Sequence, residues 1–209
     1  MKLLVATQNE GKLREYRCLL ACLPLEVTWP AREGMALKVA ETGRTMAENA
    51  ILKARAYAAA SGLLTWADDS GLEVDALGGE PGVHSARYGG PGASDEERCR
   101  LLLRCLQGVP PTERTARFRC VVALVKPDGS LHTAEGVCEG RIALEPRGEG
   151  GFGYDPIFYL PHLGRTMAEL SLAEKNAVSH RARAAQAARA LLEEILSARA
   201  TSLQQGDND

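Results

Sequence analysis

The stretch KLLVATQNEGKLREYRCLLACLPLEVTW, residues 2–29, decides the fold class. Lys2 to Ala6 is a short, continuous apolar run, which reads as a strand buried on both faces. Thr7 to Lys12 is a polar loop, and a helix follows through Leu13, Tyr16 and Leu20. A second run, Leu25 to Trp29, completes a strand, loop, helix, strand unit, the building block of a sheet covered by helices.

The same alternation continues along the chain. Thr45 with Glu48 predicts a capping box for a helix ending near Ser61, where Gly62 supplies the stop. Leu63 to Ala67 reads as a strand that ends at Asp68-Asp69-Ser70-Gly71. Ser94 with Glu97 repeats the capping box before Leu101 to Leu106, and Gly108 closes that helix. Alternating Phe118, Cys120, Val122 and Leu124, then a Pro127-Asp128-Gly129 turn into Leu131 to Ala143, predict a long hairpin. Ile157 to Leu160 is a short strand, and Ser171 with Glu174 opens helical sequence reaching about Ala200, with Ser179 as an alternative cap for a second helix from His180. Thr201 to Asp209 is polar and reads as a disordered tail. Hairpin and strand-helix units together predict an α/β fold with a long mixed sheet flanked by helices, in two lobes with a cleft between them.

Composition narrows the class. With 209 residues, 45% apolar and 25% charged, residues 1–200 suffice for one domain with a substantial core. No apolar run approaches the roughly 20 residues of a membrane span, which predicts a soluble cytoplasmic protein. A net charge of −2 argues against a broad phosphate-backbone footprint for polymeric nucleic acid, while a nucleotide-sized anion needs only a few cations. The six cysteines show neither a C-x-x-C pair nor zinc-finger spacing, so most read as small buried hydrophobes in a reducing compartment.

Several segments carry candidate chemistry. Gly148, Gly150 and Gly153 form a G-x-G-x-x-G, but Pro156 and the strand after it deny the helix that dinucleotide binding requires. Asp68 and Asp69 would point to opposite faces of a strand, so one can enter a cleft while the other braces it. With a second acid such as Glu41, Asp69 suffices for Mg2+, although an exposed Asx turn at Ser70-Gly71 fits the segment alone equally well. Thr7 to Lys12 can bind an anion through helix-start amides and an ammonium, or be an ordinary connection capped by Asn9. Asn49 and Lys53 share one helix face, and Ser179-His180-Arg181 groups three donors. Only 6 of the 25 basic residues are lysines, and Lys12, Lys53 and Lys175 fall in the segments best suited to phosphate or nucleotide contacts.

Taken together, five segments resemble the inosine triphosphate pyrophosphatase family, which acts on noncanonical purine nucleotides. They are Thr7 to Lys12; Glu41 with Thr45 to Lys53; Ala67 to Gly79 continuing through Pro81 to Gly89; Gly150 to Phe158; and Met167 to Ser171 leading into Glu174 to Arg181. The resemblance runs in order along nearly the whole chain. It implies Mg2+-dependent hydrolysis of ITP, dITP and XTP to the monophosphate and pyrophosphate, and a homodimer. It further implies that Thr7, Gln8, Asn9, Glu10, Gly11 and Lys12 hold the phosphates and that Glu41 and Asp69 bind the metal. Asp69 would be the general base. Lys53, Ser70, Phe152, Gly153, Tyr154, Asp155, Lys175, His180 and Arg181 would contact the nucleotide. Met46 departs from the aromatic common at its position, which bears on local packing. The rival readings are a non-catalytic nucleotide sensor and a related pyrophosphatase with another base preference.

Overall fold

A computed structural model describes the backbone of residues 1–206 and the side chains as far as Ser197. Strand β1 (Lys2–Val5) lies between two parallel neighbours, β2 (Glu26–Thr28) and β3 (Leu64–Val74). Leu3, Leu4 and Val5 are all buried, as an interior parallel strand requires. Helix α1 (Glu10–Leu19) makes the β1 to β2 crossover, and Asn9 caps it by accepting the Lys12 N–H at 3.0 Å. Strand β4 (Thr115–Val125) pairs antiparallel with β3 and with β5 (Leu131–Ile142) around the Lys126 to Ser130 turn. β6 (Phe158–Leu160) and β7 (Arg165–Thr166) complete a mixed seven-stranded sheet of order β2-β1-β3-β4-β5-β6-β7. The mixed sheet with flanking helices is the predicted fold class; the two-residue β7 carries no pattern that a sequence reading detects.

Two helices cover the sheet on opposite faces. α2 (Met46–Ser61) brings Ala50, Ala54 and Tyr57 against Leu4, Ala67 and Ala123. Small residues on both sides let this helix lie close. Gly62 ends it in the left-handed region at φ 66°, where a Cβ would be strained. Thr45 accepts the Glu48 N–H, but Glu48 takes the N–H of Arg44 rather than that of Thr45, so only half of the predicted capping box forms. On the other face α5 (His180–Gly206) packs Ala184, Ala188 and Leu192 against Val5, Trp66, Cys120 and Leu124. A third cluster, beyond the middle of β3, joins Leu72 and Phe118 to Leu102 of α3 (Asp95–Cys105) and to Ile157 and Phe158. The capping boxes of α3 and of α4 (Leu172–Val178) form in full, and Ser179 caps α5 through the Ala182 N–H.

Two expectations need correction and one is reached only in part. β3 does not stop at Ala67: it runs through Asp68-Asp69-Ser70-Gly71 to Val74, because β4 supplies a ladder partner at every step, Val122 opposite Asp68 and Val121 opposite Asp69. The carboxylates are therefore mid-strand and buried, not at an exposed turn. Of the six cysteines, three are buried and three exposed, all of them free thiols. α5 continues past Ala200 to Gly206, since each residue added to an existing helix gains a hydrogen bond without a new nucleus. The remainder of the predicted tail, residues 207–209, lies outside the described residues. Among the described residues no helix is long and apolar enough to cross a membrane.

Candidate active site

A cavity of about 480 Å³ opens at the carboxyl end of β1, where loops from both parallel neighbours diverge. Thr7 and Asn9 shape its floor: the Thr7 hydroxyl accepts the Asn9 N–H at 3.2 Å, and Asn9 in turn caps α1. Lys12, one turn into α1, donates to Asp68 Oδ2 at 2.9 Å.

β3 splits its two carboxylates between the faces of the sheet. Asp68 turns toward Lys12, Arg181 and Cys120 on the α5 side. Asp69 turns toward α2, where it accepts from Asn49 Nδ2 at 3.1 Å and from the Ser70 N–H at 3.0 Å. Asn49 is itself oriented by the Gly43 N–H on its Oδ1, at 2.7 Å. One turn along α2, Lys53 pairs with Glu41. Burial raises both carboxyls, but for Asp68 the cations Lys12, Arg181 and Lys53 outweigh it and hold the group down to about 2. For Asp69 burial prevails over Lys12, Lys53 and Asn49, so its carboxyl stays above the ordinary 3.8. Adjacent acids are thereby separated into a permanent anion and a better proton acceptor. Burial opposes the charge on Lys53, yet Asp68, Glu41 and Asp69 together keep it a firm cation.

The opposite wall holds aromatic and basic groups. Phe152 has Lys175 Nζ at 4.7 Å and the Arg181 guanidinium at 5.4 Å from its ring centre. His180 stacks on Phe118, with ring centres 4.6 Å apart. Burial, then Arg181, Lys175 and Lys12, push the imidazole well below 6.5, so it is neutral at pH 7. Among the described residues its Nδ1 and Arg181 Nε are buried without a hydrogen-bond partner, Nε lying 3.7 Å from Asp68 Oδ2. Behind this wall Glu15 accepts from Lys175 at 2.8 Å and from Arg181, while Lys175 also pairs with Asp155 and Arg181 Nη2 donates to Ser70 at 3.1 Å.

All but two of the residues that the resemblance assigns to the site line this cavity, while Asp68, Asn49 and Ser179 stand behind its wall. Glu10 instead faces a second groove with Arg14 and Trp29, where an acid in the first helical turn suits the helix dipole. Gly11 lies beneath Phe152, where any Cβ would overlap the ring. Tyr154 and Asp155 border the cavity as structural groups, Tyr154 donating to the Ser85 carbonyl at 2.9 Å and Asp155 accepting the Phe152 N–H at 2.9 Å. Lys38, Asp95, Arg98 and Phe118 line it as well and escaped the sequence reading. Lysine scarcity carried a usable signal, since Lys38 makes four of the six lysines in the cavity wall. Phe118 carried none, because it fits the core alternation of its strand.

Comparison with known proteins gives one consistent answer. The model of the Ham1 family matches residues 3–191. The dITP/XTP pyrophosphatase of Desulforamulus reducens is 50% identical over 195 residues, covering 93% of this chain and 97% of the relative. That of Thermus thermophilus is 53% identical, covering 92% and 91%. Among solved structures, a HAM1 protein from Coxiella burnetii superposes with a TM-score of 0.84 at 44% identity, and the Staphylococcus aureus Ham1 protein with 0.82 at 42%. Each of these two covers 93% of this chain and 99% of the neighbour.

Proposed function

The chain belongs to the Ham1 family, and on that premise we propose that it hydrolyses ITP, dITP and XTP to the monophosphate and pyrophosphate with Mg2+ as its metal. The observation that carries this reading is that Asp69, held by Asn49, lines one cavity with Glu41, Lys12 and Lys53, while Asp68 on the other face of β3 holds Lys12. A binding module has no need of a carboxylate held available for a proton.

Glu41 and Asp69 offer hard oxygen donors, which suits an ion that takes one or two carboxylates and completes its shell with phosphate oxygens and water. Among the described residues no group of three or more acids, histidines or cysteines forms an all-protein cage, so the substrate would supply the remaining ligands. When bound, Mg2+ would neutralise phosphate charge and acidify water. Asp69 accepts the proton of the attacking water, and Asn49 keeps its carboxylate aimed. Lys12 and Lys53 compensate the charge that builds on the pyrophosphate as the α–β anhydride breaks. Asp68 stays ionised throughout and holds Lys12 in place.

Base choice follows from donor polarity. Hypoxanthine and xanthine present a 6-oxo acceptor where adenine presents an amino donor. Lys175 and Arg181 are donors fixed by Glu15, and they leave adenine facing donor against donor. We further propose a cytoplasmic homodimer; six free cysteines suit a reducing compartment, and sedimentation tests the dimer.

The decisive experiment is turnover of ITP, dITP, XTP, GTP and ATP with and without Mg2+, scoring pyrophosphate against orthophosphate. Metal-dependent pyrophosphate release from ITP, dITP and XTP is expected, and Asp69→Asn should lower kcat at least about 100-fold. Nucleotide binding without turnover would make the protein a sensor. Activity confined to other bases would keep the chemistry and overturn the selectivity.

A further inference from the structure

Phe152 and its neighbours belong to a segment, residues 148–154, with neither helix nor strand and with glycine at 148, 150, 151 and 153. Left to itself such a segment samples many conformations, and Gly153 is held at φ 62°. Its two ends are anchored, by the Gly150 N–H on the Ala168 carbonyl at 3.0 Å and by the Tyr154 hydroxyl on Ser85. The tip is held from α3. Asp95 Oδ2 accepts the Gly153 N–H at 2.6 Å, and one turn further Cys99 donates its thiol to the Gly153 carbonyl at 3.4 Å. The other oxygen of Asp95 takes Arg98 Nη2 at 2.6 Å, and Arg98 Nη1 reaches the carbonyls of Ala86 at 3.0 Å and Ala93 at 2.6 Å. Three separate segments thus meet at one carboxylate on the cavity wall.

Resting on the function proposed above, with the purine stacked on Phe152, we propose that Asp95 is a positioning residue for base binding: it clamps Gly153 and so fixes the Phe152 ring, with Arg98 as its brace. The hydrolytic half of the site is held by separate elements, α1, α2 and β3, with Gly11 beneath Phe152 as a shared contact. The clamp therefore acts on substrate affinity and leaves the chemical step alone. Asp95 has an obvious competing role, since an acid in the first turn of a helix favours its dipole. The loop amides separate the two, since losing a dipole contribution loosens α3 whereas losing the clamp loosens residues 150–154; asparagine keeps only one acceptor for the two donors, Gly153 N–H and Arg98.

The test measures ITP kinetics and amide exchange across residues 150–154 in wild type, Asp95→Ala and Asp95→Asn. Asp95→Ala is expected to raise KM about tenfold with kcat within about twofold, the pattern of a lost binding contribution, and to accelerate exchange of the loop amides about tenfold. Asp95→Asn, with one acceptor for two donors, should fall between wild type and Asp95→Ala in both. Unchanged loop exchange in Asp95→Ala, or faster exchange confined to the α3 amides, would overturn the clamp. Should the wild type turn over no ITP, the substrate reading fails by itself. The exchange comparison then still decides the clamp, faster exchange in Asp95→Ala upholding it and equal exchange refuting it.

Discussion

Glu15 is the residue whose importance the sequence hides most thoroughly. It sits among ordinary helical polar residues, yet it is 3% exposed and joins Lys175 to Arg181. Burial raises its carboxyl, and Arg181 and Lys175 more than offset this, leaving it below its ordinary 4.5. A depressed carboxyl stabilises the fold at pH values above that of the unfolded chain and loses the contribution as pH falls through the folded value. Glu15→Gln should therefore cost about 3 kcal/mol near pH 7, the lower end for breaking a buried pair, because Asp155 and Asp68 still face the two cations. Denaturant unfolding from pH 7 downward should show the difference from wild type constant until about pH 4.5 and shrinking below it. Gly11 makes a second test at this scale. Its backbone lies outside the left-handed region, so Gly11→Ala suits the helix while driving Phe152 out of place. A melting temperature equal to or above wild type, together with a severalfold higher KM for ITP, is the expected signature. Thr7, Asn9 and Lys12 were legible because a loop between strand and helix draws on few residue types. Glu15 was not, since its partners lie up to 166 positions away.

At the scale of elements, local signals served well. Cap residues announced α3, α4 and the start of α5, and alternation announced the β4–β5 hairpin. The misreading of β3 has a physical origin: acidic residues commonly end a strand because burying them is costly, and only the cations brought by α1, α2 and α5 remove that cost. Gly136 shows the same dependence on a distant partner. An isolated glycine in a strand marks a close backbone approach, but nothing local says to what. In the structure it receives the first turn of α5, where a Cβ would overlap the His180 carbonyl and the Ala184 N–H. Gly136→Ala should push that turn outward, destabilising the protein by about 1–3 kcal/mol in chemical denaturation. The same shift should raise KM for ITP, because His180 and Arg181 ride on the displaced turn.

For the molecule as a whole, one cavity gathers groups from the loop after β1, from α1, α2, β3, α3, β4, α4 and α5, and from the 148–154 loop, so a ligand filling it ties the fold together. IMP with Mg2+ at a hundred times its Kd should add about 2.7 kcal/mol of stability, or about 5–10 °C in melting temperature for a chain of this size. Chelation with EDTA, or Asp69→Asn, should abolish most of that rise in a thermal scan. The sequence by itself determined the kinds of elements, their caps and the succession of motifs, because those depend on hydrogen bonds and periodicity within a few residues. Only the tertiary structure decided which charges meet, that cations hold the Asp68 carboxyl down while burial raises that of Asp69, that a Cβ at Gly11 or Gly136 would meet a neighbour, and that Asp95 reaches Gly153. Each of these depends on desolvation and on partners remote in the chain, and both exist only once the elements have packed.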